Sequence, residues 1–276
     1  MKKLLSLILA VCIALGLFAG CSSEKKDSIA VAIVPLETFA KKIVEDKFNI
    51  VVAVPNGQSP ESYEPTPKQM LSLNGAKVYF SIGIPNEVVS ILPTVSCKKV
   101  LLNELVVNSG LSDLTFSSGA RDPHIWLSVL RAIKMVELML EEIILLDPNN
   151  ADFYTKNAND YILELTALNL ELTEKFKNAT LKKFIAYHPS FGYFANEYGL
   201  EMRAIESDGH EATAKDFISL VNFAKQNNIK KVFYQAETDS SQALAFANEI
   251  GGSAIKLSPL SPNYIENLKE MANAII

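Results

Sequence analysis

Only three histidines occur in the 276 residues, and two of them stand where a ligating imidazole would be useful. His124 lies in Asp122-Pro123-His124-Ile125-Trp126, after a Gly/Ser/Arg loop (Ser117–Arg121) and before a long helical stretch. His188 closes an apolar run in Tyr187-His188-Pro189, where the proline fixes the following turn. Neutral imidazole is the commonest transition-metal ligand. A single buried histidine more often only satisfies a hydrogen bond, but two at element boundaries, each beside a proline, point toward ligation. His210, in Ser207-Asp208-Gly209-His210-Glu211, reads as a solvated turn residue. A third segment, Gly57–Pro67, sets Glu61 and Glu64 three apart around Tyr63 and is stiffened by three prolines.

The elements that must position these residues alternate between strand and helix. Apolar runs Ile29–Val34, Asn49–Val54, Val78–Ile82 and Val100–Leu102 read as strands, with helical spacing over Leu36–Glu45 and Pro67–Asn74 between them. The middle is helical: Val129–Leu145, then a start signal at Asp147-Pro148. From there to Lys177 there is no further breaker, and Tyr154, Tyr161, Leu165, Leu168 and Leu172 recur at near-heptad spacing. About 28 helical residues would span about 42 Å, enough to cross a two-lobed protein. The last third repeats the alternation, with strands at Lys183–Tyr187, Met202–Ile205, Lys231–Tyr234 and Ser253–Leu257. This rhythm indicates parallel β/α units, whose ligand groups gather at the carboxyl ends of strands. Glu61 and His188 each follow such an end.

The first segment belongs to a different class. Lys2 and Lys3 precede an uncharged apolar run, Leu4–Phe18, and Ala19-Gly20-Cys21 follows it. This is a secretory signal, short for a membrane span, ending in a lipobox-like site that marks Cys21 for acylation. Phe18 stands where such sites usually carry leucine. Cleavage removes Cys12 and lipid consumes Cys21, so Cys97 remains alone. A disulfide and a cysteine metal cluster are thereby excluded, and a metal site must use histidine and carboxylate. The mature chain carries 24 basic and 31 acidic side chains, a net charge of −7 against −5 for the full sequence. An acidic chain is a poor partner for nucleic acid.

Taken together, these motifs resemble the metal-binding ABC solute-binding lipoproteins of the zinc and manganese uptake family, over nearly all of the chain from Ile29 onward. The resemblance rests on Pro60-Glu61-Ser62-Tyr63-Glu64-Pro65, on Asp122–Trp126, on Asp147-Pro148 with Tyr154, Asn157 and Tyr161, and on His188-Pro189 with the aromatic-rich Phe191–Phe194. It implies two parallel α/β lobes joined by one long rigid helix, with a metal cleft between them. The corresponding boundaries are a signal peptide over 1–20, a lipidated tether over 21–28, lobes over 29–147 and 178–276, and a linking helix over 148–177. It further implies a monomer, anchored by lipid on the outer side of the bacterial cell membrane, that binds Zn2+ (with Mn2+ or iron as the alternative) and delivers it to an ABC permease.

His124 and His188 carry over as metal ligands. Glu61 occupies the position where the family usually has its first histidine, and a carboxylate there keeps a plausible but harder ligand. Many relatives supply a fourth ligand from a Leu-Asp-Pro-Leu run. Here that run reads Leu257-Ser258-Pro259-Leu260, which leaves Glu237 or a water for the role. No histidine occurs between Asn108 and Arg121, where zinc members often carry a His-rich loop.

Other readings are a zinc hydrolase with Glu64 or Glu237 as base, a binding protein for a metal chelate or corrinoid, and an adhesin. No His-Glu-x-x-His helix supports the first, the second needs a wide aromatic cleft, and nothing in the sequence encodes the partner surface of the third.

Overall fold

The computed structural model describes residues 26–206, 212–238 and 240–276. The expected signal segment with Cys21, and His210, lie outside the described residues.

Two four-stranded sheets, each wholly parallel, form the two lobes. The first contains β1 (Ser28–Val31), β2 (Asn49–Val52), β3 (Val78–Ser81) and β4 (Lys98–Leu101), in the order β2-β1-β3-β4. The second contains β5 (Lys183–Ala186), β6 (Glu201–Ala204), β7 (Lys231–Gln235) and β8 (Ser253–Leu257), in the order β6-β5-β7-β8. The two lobes thus repeat one topology. In each, the chain leaves the first strand toward one edge and returns to build the other, so a crevice opens at the carboxyl ends where the order reverses.

The helices are α1 (Val34–Val44), α2 (Pro67–Asn74), α3 (Leu102–Asn108), α4 (Val129–Leu146), α5 (Ala151–Lys177), α6 (Gly192–Glu197), α7 (Ala214–Gln226), α8 (Ser241–Glu249) and α9 (Tyr264–Ile275). The sequence expectation of a strand through Val34 ends three residues early. Pro35 lacks the N–H a ladder needs but fits the first turn of a helix, so α1 begins at Val34 with the proline inside that turn. Leu102, expected as strand, instead opens α3, a helix that the short apolar run concealed.

The linking helix α5 is 27 residues long, preceded by a single 3-10 turn at Pro148–Asn150. It spans about 40 Å. Tyr154, Ala158, Tyr161, Leu165, Leu168, Leu172 and Phe176 form its buried stripe, and each of its fully buried Leu and Phe side chains is worth about 1.5–3 kcal/mol. One hydrophobic core runs from β1, α1 and α4 along this stripe to Phe184, Phe194, Leu257 and Leu268 of the second lobe. Polar contacts also cross between the lobes. Trp126 Nε1–H donates to the Pro259 carbonyl at 3.0 Å, and the Leu114 N–H donates to the Tyr193 hydroxyl at 2.9 Å. Glu197 accepts from Ser128 Oγ and from the Leu130 N–H, and so caps α4 from the opposite lobe. A shared core and these contacts hold the lobes at a fixed spacing.

Candidate metal centre

His124 follows a small hairpin closed by the bridge between Thr115 and Arg121. Asp122, itself buried, turns its Oδ1 back on the next residues but one: it accepts the His124 backbone N–H at 2.9 Å and meets His124 Nδ1 at 2.7 Å. With Nδ1 engaged, Nε2 is the atom presented to the cleft. Trp126 and Phe116 flank the ring, at centroid distances of 5.3 and 6.4 Å.

His188 is held in a corresponding way. The pairing of β5 with β6 continues past both strands, since Ile205 N–H donates to Ala186 O at 2.9 Å and Glu206 N–H to Tyr187 O at 2.8 Å. That register brings Glu206 beside His188, with Oε2 3.2 Å from Nδ1. Again Nε2 faces the cleft. Glu61 reaches it from the loop between β2 and α2. There Ser62 and Tyr63 N–H groups donate to Ser59 O, Asn86 Nδ2 donates to Tyr63 O, and the Tyr63 hydroxyl donates to Gln69 Oε1 at 2.6 Å.

Three groups therefore converge. One donor atom from each of Glu61, His124 and His188 lies within 4.8 Å of the others. The two Nε2 atoms are 3.3 Å apart, and Glu61 Oε1 is 2.7 Å from His188 Nε2. At a Zn–N bond of about 2.0–2.1 Å, two imidazole nitrogens on a tetrahedral ion stand about 3.3 Å apart. The histidine pair already has that spacing. Glu61 sits about half an ångström closer than a co-ligand would, at the distance of a hydrogen bond with a shared proton.

The electrostatics agree with that proton. Burial works to lower the His188 pKa, but hydrogen bonds and charges from Glu206 and Glu61 outweigh it and push the imidazole up to about 9. Burial likewise works to raise the Glu61 carboxyl, and the bond to His188 leaves it below its ordinary value. Both imidazoles are buried, whereas the Glu61 side chain is 43% exposed.

Glu237 does not join the group. It lies in the turn after β7, with Oε2 buried and without a hydrogen-bond partner, and burial raises its carboxyl pKa. Glu64 faces a separate hollow beside Met70 and Asn74. Glu206 went unnoticed in the sequence because it sits in no motif. Its one legible signal was its place, two residues beyond a strand end in an α/β lobe.

A model of the family described as zinc-uptake complex component A, periplasmic, matches residues 29–276. The high-affinity zinc uptake system protein ZnuA of Bacillus subtilis (strain 168) is 30% identical, over 92% of this chain and 87% of its own length. The zinc-binding lipoprotein AdcA of Streptococcus pneumoniae serotype 4 is 32% identical over 100% of this chain, which spans 58% of that longer protein. A crystal structure of ZnuA superposes with a TM-score of 0.83 at 32% identity, covering 91% of this chain and 100% of that one. The periplasmic zinc-binding protein TroA from Treponema pallidum shares the fold, with a TM-score of 0.82 at 19% identity over 91% of this chain and 98% of its own. The two-lobed architecture, the linking helix and these matches agree, and the chain belongs to the zinc-uptake complex component A family.

Proposed function

We propose that this chain is the extracytoplasmic solute-binding component of an ABC importer, which captures one zinc ion between Glu61, His124 and His188 and passes it to a permease. The observation that carries the reading is the convergence of two Nε2 atoms, 3.3 Å apart, with one carboxylate between the lobes. The names of the Bacillus subtilis and Streptococcus pneumoniae relatives support zinc as the cargo. Manganese is the second cargo to test, because Glu61 adds a hard oxygen donor, although zinc binds such mixed sites more tightly than manganese or iron.

In this reading Glu61 and His124 come from one lobe and His188 from the other, so the ion ties the lobes together. The core shared through α5 restricts the accompanying motion to a small adjustment at the cleft. Asp122 and Glu206 aim the two imidazoles. The ion displaces the proton that Glu61 and His188 share, and regaining that proton favours release. The centre binds and releases its cargo and performs no catalysis. The mature protein is a monomer held at the bacterial membrane by lipid on Cys21, and an AdcA relative described as a lipoprotein supports that placement.

The test is metal content by mass spectrometry of residues 22–276, stripped and then reloaded in competition between zinc and manganese. One equivalent of zinc, lost in His188→Ala, is expected. Manganese held against zinc would change the cargo, and an absence of stoichiometric metal would overturn the reading.

A further inference from the structure

Three protein donors leave a tetrahedral ion one ligand short of four, and the space around them is unequal on its two sides. Toward Ser59, Ile84, Gln235 and Pro259 there is room for only about 10 Å³, at or below the lower limit for a single water. On the other side a pocket of about 260 Å³ opens directly onto Glu61, His124 and His188. Its walls are Pro85, Phe116, Ala120, Pro123 and Pro189, and apart from the donors its one charged side chain is Arg121.

These walls define what fits. A water needs two to four polar partners, and three prolines, an alanine and a phenylalanine offer none from their side chains. The volume is several times that of one water and below that of a drug-sized site, which suits a small molecule with a flat or apolar body. Charge defines its ends. Glu61, with Asp122 and Glu206 behind the imidazoles, already sets three carboxylates around a divalent ion. A neutral nitrogen donor completes the coordination at lower electrostatic cost than a fourth carboxylate. At the pocket wall, Arg121 Nε is held by Asp113 Oδ2 at 2.6 Å. A guanidinium carries five N–H donors, more than one carboxylate takes up, so it remains able to pair with an anionic group on the ligand.

We propose that the pocket binds a small amino acid with a neutral nitrogen donor, of the imidazole class, which completes the metal's coordination while its carboxylate pairs with Arg121. The centre then takes up its ion as a ternary complex. This proposal rests on the metal-capture reading above.

The test uses residues 22–276 loaded with cobalt(II), whose visible absorption reports its ligands, at a free-metal level fixed by a metal buffer. L-histidine is the probe. A saturable spectral change is expected, together with a native mass spectrum showing one metal and one histidine per chain. In Arg121→Ala the histidine dependence should weaken about tenfold or more, as expected for loss of a charge-assisted pair. Phe116→Trp, which fills the pocket, should block it. Cobalt bound with no response to millimolar histidine would overturn the proposal and leave the metal reading standing. An equal response in Arg121→Ala would overturn the assigned mode of binding. No metal bound with or without histidine would overturn both.

Discussion

Gly192 and Asp122 meet across the lobe boundary so closely that a Cβ on the glycine would lie 2.6 Å from Asp122 Oδ2. Gly192 opens α6 in the second lobe, in the turn that follows His188, and Asp122 holds His124 in the first. The close approach therefore connects the settings of the two histidines. In Gly192→Ala the new methyl group pushes the Asp122 carboxylate aside and loosens its bond to His124 Nδ1. Zinc affinity should fall about tenfold to a hundredfold, the usual cost of losing the group that orients a ligating histidine. Calorimetric titration of the single and double variants checks the route. If Asp122 carries the effect, Gly192→Ala/Asp122→Ala should bind zinc no worse than Asp122→Ala alone. Additive losses would sink the idea.

The His188 imidazole makes the metal-free protein sensitive to alkali. Its pKa is about 9 in the fold against 6.5 for a free side chain. The fold thus prefers the protonated form, and the resulting stability is complete below pH 6.5 and lost as pH rises through 9. The difference corresponds to about 3 kcal/mol at 1.36 kcal/mol per pKa unit. A metal that displaces this proton gains apparent affinity over the same window, by up to about tenfold per pH unit. The two carboxylates beside His188 set this window above the pH at which a free imidazole loses its proton. Thermal melts between about pH 6 and 10 should show falling stability for the metal-free protein and a much flatter profile with zinc. A flat metal-free profile would mean that His188 is not held as an imidazolium.

The sequence displayed the fold more clearly than the second layer of the site. Helix periodicity is local, so α4 was legible to within a residue, and the stripe from Tyr154 to Leu172 was legible as a buried face. Burial is not local. Ala32 and Ile33 are as buried as the strand residues before them and Leu102 is more so, and an apolar run does not reveal where its backbone turns from strand to helix. The same limit hid Glu206. Its contact with His188 follows from the β5–β6 register, Ala186 against Ala204, which only the folded sheet fixes. Glu61 was found through its place in a motif. Glu237 was nominated on its position after a strand, yet its turn does not bring it to the other donors.

Glu206→Gln separates the carboxylate's charge from its shape. The amide oxygen still accepts from His188 Nδ1–H, but the negative charge is gone. Two consequences oppose each other. A less basic imidazole binds zinc more weakly, and it also competes less with protons. Near pH 9 the second effect fades, so the loss of affinity should be largest there, about tenfold, and smaller near pH 6. A residue that merely supported the fold would lower affinity equally at every pH. Zinc titrations at those two pH values decide between these outcomes, with Glu206→Ala as the variant that also removes the hydrogen bond.

Glu61→His tests what the carboxylate contributes to the choice of metal. The substitution replaces a hard, charged oxygen with a neutral nitrogen, at a loop position exposed enough to accept a ring. Imidazole suits zinc, whereas manganese favours carboxylate oxygen. The variant should keep zinc and lose manganese, so that the zinc-to-manganese preference rises about tenfold or more in competitive loading followed by mass spectrometry. It also removes one of the two carboxylates that hold the His188 proton, so the pH window of zinc binding should move toward acid. If the metal preference stays constant while the pH window moves, Glu61 acts on the proton of His188 and not on the ion. If both stay constant, Glu61 stands outside the centre, and its 2.7 Å contact with His188 governs neither the ion nor the proton.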